Sequence, residues 1–139
     1  MKIITKNKEE TQALATKIAK QLKGGEVLAL QGDLGAGKTT FTQGLAKALG
    51  VKVNVTSPTF VLLKIYKTKH ISIKQMIHID AYRLNTGTDL EAIGWQEYLK
   101  PDTLVVIEWA DKVKSVIPKQ TKWFKFKLLA NDKHQVEML

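Results

Sequence analysis

Gly32-Asp33-Leu34-Gly35-Ala36-Gly37-Lys38-Thr39 follows the apolar run Val27-Leu28-Ala29-Leu30 and opens a segment with Phe41, Leu45, Ala48 and Leu49 on one helical face. A short buried strand, a glycine-rich turn and an amphipathic helix together form the start of a strand-helix-strand unit. Such a unit needs parallel partner strands and cover on both faces of the sheet, which restricts the chain to α/β architectures. The octapeptide also has the spacing G-x-x-x-x-G-K-[ST] in the context that this pattern requires. Gly35 and Gly37 lack Cβ atoms, so the backbone there can curl around a phosphate with its N–H groups inward at the positive end of the helix dipole. A turn that merely connects strand and helix would leave the Lys-Thr pair unexplained.

The chemistry follows from this spacing. Gly35, Ala36 and Gly37 are expected to cradle the phosphates of ATP, with Lys38 bridging the β- and γ-phosphates as a point charge. The Thr39 hydroxyl is placed to ligate Mg²⁺, and Thr40 to reach the α-phosphate. A metal-side acid is also needed. Leu104-Val105-Val106-Ile107-Glu108 supplies it as four buried residues followed by a carboxylate at a strand's carboxyl end, where open α/β sheets bind ligands. Asp80 ends a second such run and competes for the role, either assisting the metal through water or activating the nucleophile. A salt bridge to Arg83 or a helix cap explains Asp80 equally well. Lys38, Asp80 and Glu108 are therefore the candidate catalytic residues.

Thr56-Ser57-Pro58-Thr59 lies where many phosphate-loop proteins place a switch that senses the γ-phosphate, although a plain Ser-Pro turn has the same composition. His78 sits among apolar neighbours and reads first as a core residue, second as a proton carrier. Trp109 is a candidate contact for a base or a partner, with packing as the alternative.

The rest of the chain fits one domain over residues 1–139, with a mixed sheet flanked by helices and antiparallel hairpins at its edges. Asn7 caps a first helix that carries Leu14, Ile18 and Leu22 on one face up to Gly24-Gly25. Segments 60–66 and 71–79 are predicted strands of a hairpin. Segment 89–99 is predicted as a single helix ahead of Pro101, and the tail as a hairpin turning at Asn131-Asp132. No apolar run exceeds four residues, whereas a spanning helix needs about 20. The N-terminus has no secretory pattern, so the cytoplasm is the expected location. With no cysteine, thiol chemistry is excluded.

The net charge of +9 suggests an anionic partner, yet Arg83 is the only arginine among 22 basic residues. Residues 80–111 carry seven acids against Arg83 and Lys100, which concentrates the positive charge elsewhere. That basic remainder reads as a solvated lysine face, or secondarily as a surface for an anionic partner.

Five blocks in this order resemble the bacterial TsaE (YjeE) family of phosphate-loop ATPases. They are the loop through Thr40-Phe41, Thr56-Ser57-Pro58-Thr59-Phe60, His78-Ile79-Asp80-Ala81-Tyr82-Arg83-Leu84, Gly94 with Glu97-Tyr98-Leu99, and Ile107-Glu108-Trp109. The resemblance implies ATP at 35–40, Mg²⁺ held by Thr39 and Glu108, a switch role for Thr56, Ser57 and Thr59, and functional weight on Asp80 and Trp109. It further implies an accessory ATPase of tRNA threonylcarbamoyladenosine modification whose hydrolysis resets an assembly with the TsaD and TsaB proteins. Any contact with tRNA would come through that complex, and no membrane is involved. Trp95 and Ala110 depart from the residues usual at those family positions. A small-molecule kinase built on the same loop is the rival reading, against which the single arginine argues. A nucleotide-binding docking module without turnover is the third.

Overall fold

The computed structural model describes residues 1–58 and 61–139. Seven strands form one sheet: β1 (Lys2–Thr5), β2 (Val27–Gln31), β3 (Leu63–Lys67), β4 (Gln75–Asp80), β5 (Thr103–Glu108), β6 (Lys122–Leu128) and β7 (His134–Met138). Their spatial order is β1-β7-β6-β2-β5-β4-β3. The four central strands β6, β2, β5 and β4 run parallel, while β3 pairs antiparallel with β4 at one edge and β7 pairs antiparallel with both β6 and β1 at the other. This is the mixed sheet with antiparallel edges that the sequence predicts.

Period-two alternation divides the apolar residues of the central strands between two cores. Leu28, Leu30, Met76, Leu104 and Val106 pack with Phe41, Leu45 and Ile18 from α1 (Lys8–Ala19) and α2 (Lys38–Ala48). On the opposite face, Val27, Ala29, Ile77, Val105 and Ile107 pack with Leu90 of α3 (Gly87–Ala92), Trp95 and Val113. The continuous apolar runs of β2 and β5 thus reflect burial on both faces.

Asn7 caps α1 as expected, its Oδ1 accepting from the Glu10 N–H at 2.9 Å. The helix stops at Ala19, earlier than its apolar spacing suggests. Leu22 is still buried, but it sits beyond the end, where the Gln21 and Leu22 N–H groups bond Ile18 and Ala19 in tighter turns. The predicted helix over 89–99 is two pieces, α3 and a 3-10 segment at Trp95–Tyr98, because Gly94 takes a left-handed φ of 76° and ends the first. Ala48, expected on the inner face of α2, is exposed; Ala46 is buried instead. Strand β4 begins only at Gln75, leaving Ile71 exposed, and Phe60 lies outside the described residues. Trp95 and Ala110 are fully buried in the core on the α3 side.

The α1-α2 contact depends on Gly44. A Cβ there would stand 2.8 Å from both the Ala15 Cβ and the Gln12 Cα. Gly44→Leu is expected to lower the unfolding free energy by about 2 kcal/mol through overpacking, measured by urea denaturation; an unchanged midpoint would show that the helices do not depend on this approach. Among the described residues, no helix is long and apolar enough to cross a membrane.

Candidate functional site

Because β2, β5 and β4 are parallel, their carboxyl ends share one rim of the sheet. Asp80 and Glu108 are direct register partners there, and Leu30, just before the glycine-rich loop, is also level with Glu108. Glu108 follows Leu104 and Val106 at period two, so its side chain emerges on the α2 face of the sheet. The Thr39 hydroxyl, in the first turn of α2, donates to both Glu108 oxygens at 3.0 and 3.1 Å. Two motifs 69 residues apart in sequence thereby meet.

The loop has the backbone its glycines allow, with φ of 79° at Gly35 and 107° at Gly37. A Cβ on Gly35 would meet nothing within 4 Å, so the glycine serves conformation and leaves room on the open side of the turn. The side chain of Ala36 is buried, and its N–H donates to the Asp33 carbonyl at 3.1 Å. In this state Ala36 closes the turn from within, while Gly35, Gly37, Lys38, Thr39 and Thr40 face a cleft of about 340 Å³. Ser57, Asp80, Glu108 and Trp109 line the same cleft.

Lys38 is almost wholly buried, and its Nζ donates to the carbonyls of Gly32 at 2.5 Å and Asp33 at 2.9 Å. Burial pushes its pKa below the ordinary lysine value, against the opposing pull of the Glu108, Asp80, Asp111 and Asp33 carboxylates. Trp109 covers the ammonium from the other side, with its ring centroid 4.3 Å from Nζ. Trp109 achieves this through a left-handed backbone, φ 59°, which disfavours a bulky residue and commonly marks a functional position. Its ring also packs against Tyr82 at 5.0 Å. The indole therefore lies at the glycine-rich-loop end of the cleft.

The segment expected to act as a switch divides. Ser57 donates to Asp80 Oδ2 at 2.7 Å, while Asp80 Oδ1 accepts the Tyr82 N–H at 2.9 Å. Thr56 turns away from this cleft and accepts from Lys64 Nζ at 3.0 Å. Thr59 lies outside the described residues.

Two histidines matter more than the sequence indicates. His78, fully buried on β4, places Nε2 2.5 Å from Glu108 Oε2 and so braces the carboxylate opposite Thr39. The core reading is right about its burial but misses this partner, since strand alternation alone does not reveal which neighbour β4 receives. His78→Leu is expected to weaken Mg²⁺-dependent ADP affinity about tenfold while sparing affinity in EDTA, with His78→Gln recovering part of the loss. Titration calorimetry in both buffers decides it; equal losses in the two would reduce His78 to a folding role. His134, at the start of β7, lines the cleft with Nε2 3.2 Å from the Gly35 carbonyl. Only the return of the β6-β7 hairpin brings it there, and no local motif signals it.

The residues fit a nucleotide with Mg²⁺. The donors offered to a cation are a hydroxyl and carboxylates, the hard oxygens that Mg²⁺ prefers. Among the described residues no group of three His, Cys, Asp or Glu side chains forms a cage. A cation here would thus rely on phosphate oxygens and water for most of its shell, the usual arrangement for Mg²⁺ at phosphate sites.

The family model described as "Threonylcarbamoyl adenosine biosynthesis protein TsaE" matches residues 5–137. Among curated relatives described as tRNA threonylcarbamoyladenosine biosynthesis protein TsaE, that of Bacillus subtilis (strain 168) is 37% identical over 132 residues, covering 95% of this chain and 80% of the relative. The Treponema pallidum (strain Nichols) protein is 35% identical, covering 98% of each chain. The one from Aquifex aeolicus (strain VF5) is 44% identical over 81% of this chain and 90% of its own length. The crystal structure of Bacillus subtilis YdiB superimposes with a TM-score of 0.82 at 33% identity, over 99% of this chain and 83% of that one. With the family model spanning nearly the whole sequence and the same fold in a solved relative, the chain belongs to the TsaE family.

Proposed function

We propose that this chain is a single-domain, cytoplasmic ATPase that binds ATP with Mg²⁺ in the Lys38-Glu108 cleft. Its hydrolysis, slow alone, serves tRNA threonylcarbamoyladenosine biosynthesis by resetting an assembly with TsaD and TsaB. The observation that carries this reading is the Thr39-Glu108 contact beside Lys38, which joins the phosphate loop to a metal-side carboxylate. Thr39 and Glu108 would hold Mg²⁺, which when bound neutralises charge on the phosphate oxygens. Lys38 exchanges its two carbonyl partners for phosphate oxygens, a substitution that costs little because both sets are acceptors. Asp80, held by Ser57 and the Tyr82 N–H, would orient a water toward the terminal phosphate. Trp109 excludes solvent from the Lys38 side.

The test is phosphate release from ATP with and without purified TsaD and TsaB, run beside a search for a phosphorylated acceptor. Release stimulated by the pair is expected. A phosphorylated small molecule would establish a kinase instead, a reading disfavoured by the lone Arg83. ATP binding without release in any mixture would leave a docking module.

A further inference from the structure

Away from the nucleotide cleft, a groove of about 490 Å³ runs between α1, the end of α2 and residues 51–56. Lys8, Lys47 and Lys52 line it from three different elements, and no carboxylate does. Val53 is 64% exposed between them, and Gln12, Gln43 and Asn54 add amide donors and acceptors. A cationic rim around an exposed apolar spot suits a ligand that is negatively charged and partly apolar. The volume is that of several side chains rather than of a single ion.

We infer that this groove is the docking site for an acidic segment of a protein partner, with an apolar side chain of that segment seated on Val53. Surfaces that hold single-stranded nucleic acid offer aromatic rings for stacking and arginines for phosphates. The groove lining contains neither, whereas valine, lysine and amide groups match an acidic, amphipathic stretch of protein. The chain's charge of +9 would speed the encounter with such a partner.

The groove also adjoins the catalytic machinery. Gln43 of α2 donates from Nε2 to the Val55 carbonyl at 2.8 Å, tying residues 51–56 to the helix that presents Lys38 and Thr39. Two residues beyond Val55, Ser57 holds Asp80. A segment bound in the groove therefore presses on the strip of chain that positions Asp80, which gives the partner a route to the site without entering it.

The identity of the partner rests on the reading above, so the test uses the TsaD-TsaB pair. Wild type and the triple variant Lys8→Glu, Lys47→Glu, Lys52→Glu are compared by interferometry on the immobilised pair at 0.05 and 0.3 M salt, with ATP affinity and tRNA binding measured alongside. The expected result is salt-sensitive binding by wild type and at least about tenfold weaker binding by the variant, with ATP affinity unchanged. A second variant, Val53→Asp, is expected to weaken binding without changing any lysine. Equal binding of wild type and both variants overturns the groove alone. Loss of tRNA binding with the pair still bound makes it an RNA surface and overturns the proposal. A wild type that ignores the pair overturns the partner reading, and this proposal with it.

Discussion

Lys38→Ala is expected to reduce ATP affinity by at least about two orders of magnitude, or roughly 3 kcal/mol. Among the described residues the Lys38 ammonium is the only lysine or arginine group lining the cleft, and a triphosphate placed there without it faces the Glu108 and Asp80 carboxylates unshielded. The loop itself should survive. The Lys38 ammonium bonds the Gly32 and Asp33 carbonyls, but the Ala36 N–H also holds Asp33 and α2 holds the rest. Thermal melting of the variant is therefore expected near the wild-type value, and labelled-ATP titration should show the loss. Wild-type affinity and turnover in Lys38→Ala would refute the phosphate-loop assignment.

Glu108→Ala should act on a different quantity. Removing this carboxylate leaves the Thr39 hydroxyl and His78 Nε2 without their acceptor and takes away the acid proposed to face Mg²⁺. Mg²⁺-dependent turnover is expected to fall about a hundredfold or more, while nucleotide affinity in EDTA holds steady or rises with the loss of a negative charge. Comparing the two variants separates phosphate binding from metal-dependent chemistry: the first should fail with and without Mg²⁺, the second only with it. A Glu108→Ala protein that loses Mg²⁺-free affinity as steeply as turnover would point to a structural carboxylate. Glu108→Gln keeps the acceptor for Thr39 and tests whether charge or shape is at issue.

Local rules revealed much of this site because they govern short stretches of chain. The glycine spacing and the flanking periodicity place Gly35 to Thr40 at the start of α2, and the four apolar residues before Glu108 place it at a strand end. Asn7 identifies the start of α1 through a cap that needs no tertiary contact. What escaped the sequence depends on which strands become neighbours. Strand β1 is too short and too mixed, Lys-Ile-Ile-Thr, to announce itself, and it exists because β7 offers an edge. The parallel pairing of β6 with β2 is equally silent, so nothing flags His134 as a neighbour of Gly35. His78 has the same problem: its burial is readable from apolar neighbours, but its bond to Glu108 requires knowing that β4 lies beside β5. Thr56 and Ser57, adjacent in sequence, part company because their partners, Lys64 on β3 and Asp80 at the end of β4, come from different strands that only the tertiary fold brings to this segment.

The antiparallel zip of β1 onto β7 brings Met1 and Met138 together, the Met138 N–H donating to the Met1 carbonyl at 2.9 Å. Since β7 begins with the imidazole that touches Gly35, the β1-β7 pair supports one wall of the cleft. Deleting β1 or β7, or loading either strand with a bulky fusion, is therefore expected to loosen that wall as well as a sheet margin. An affinity handle on a recombinant version is best compared with its tag-free counterpart before any ATP constant is believed.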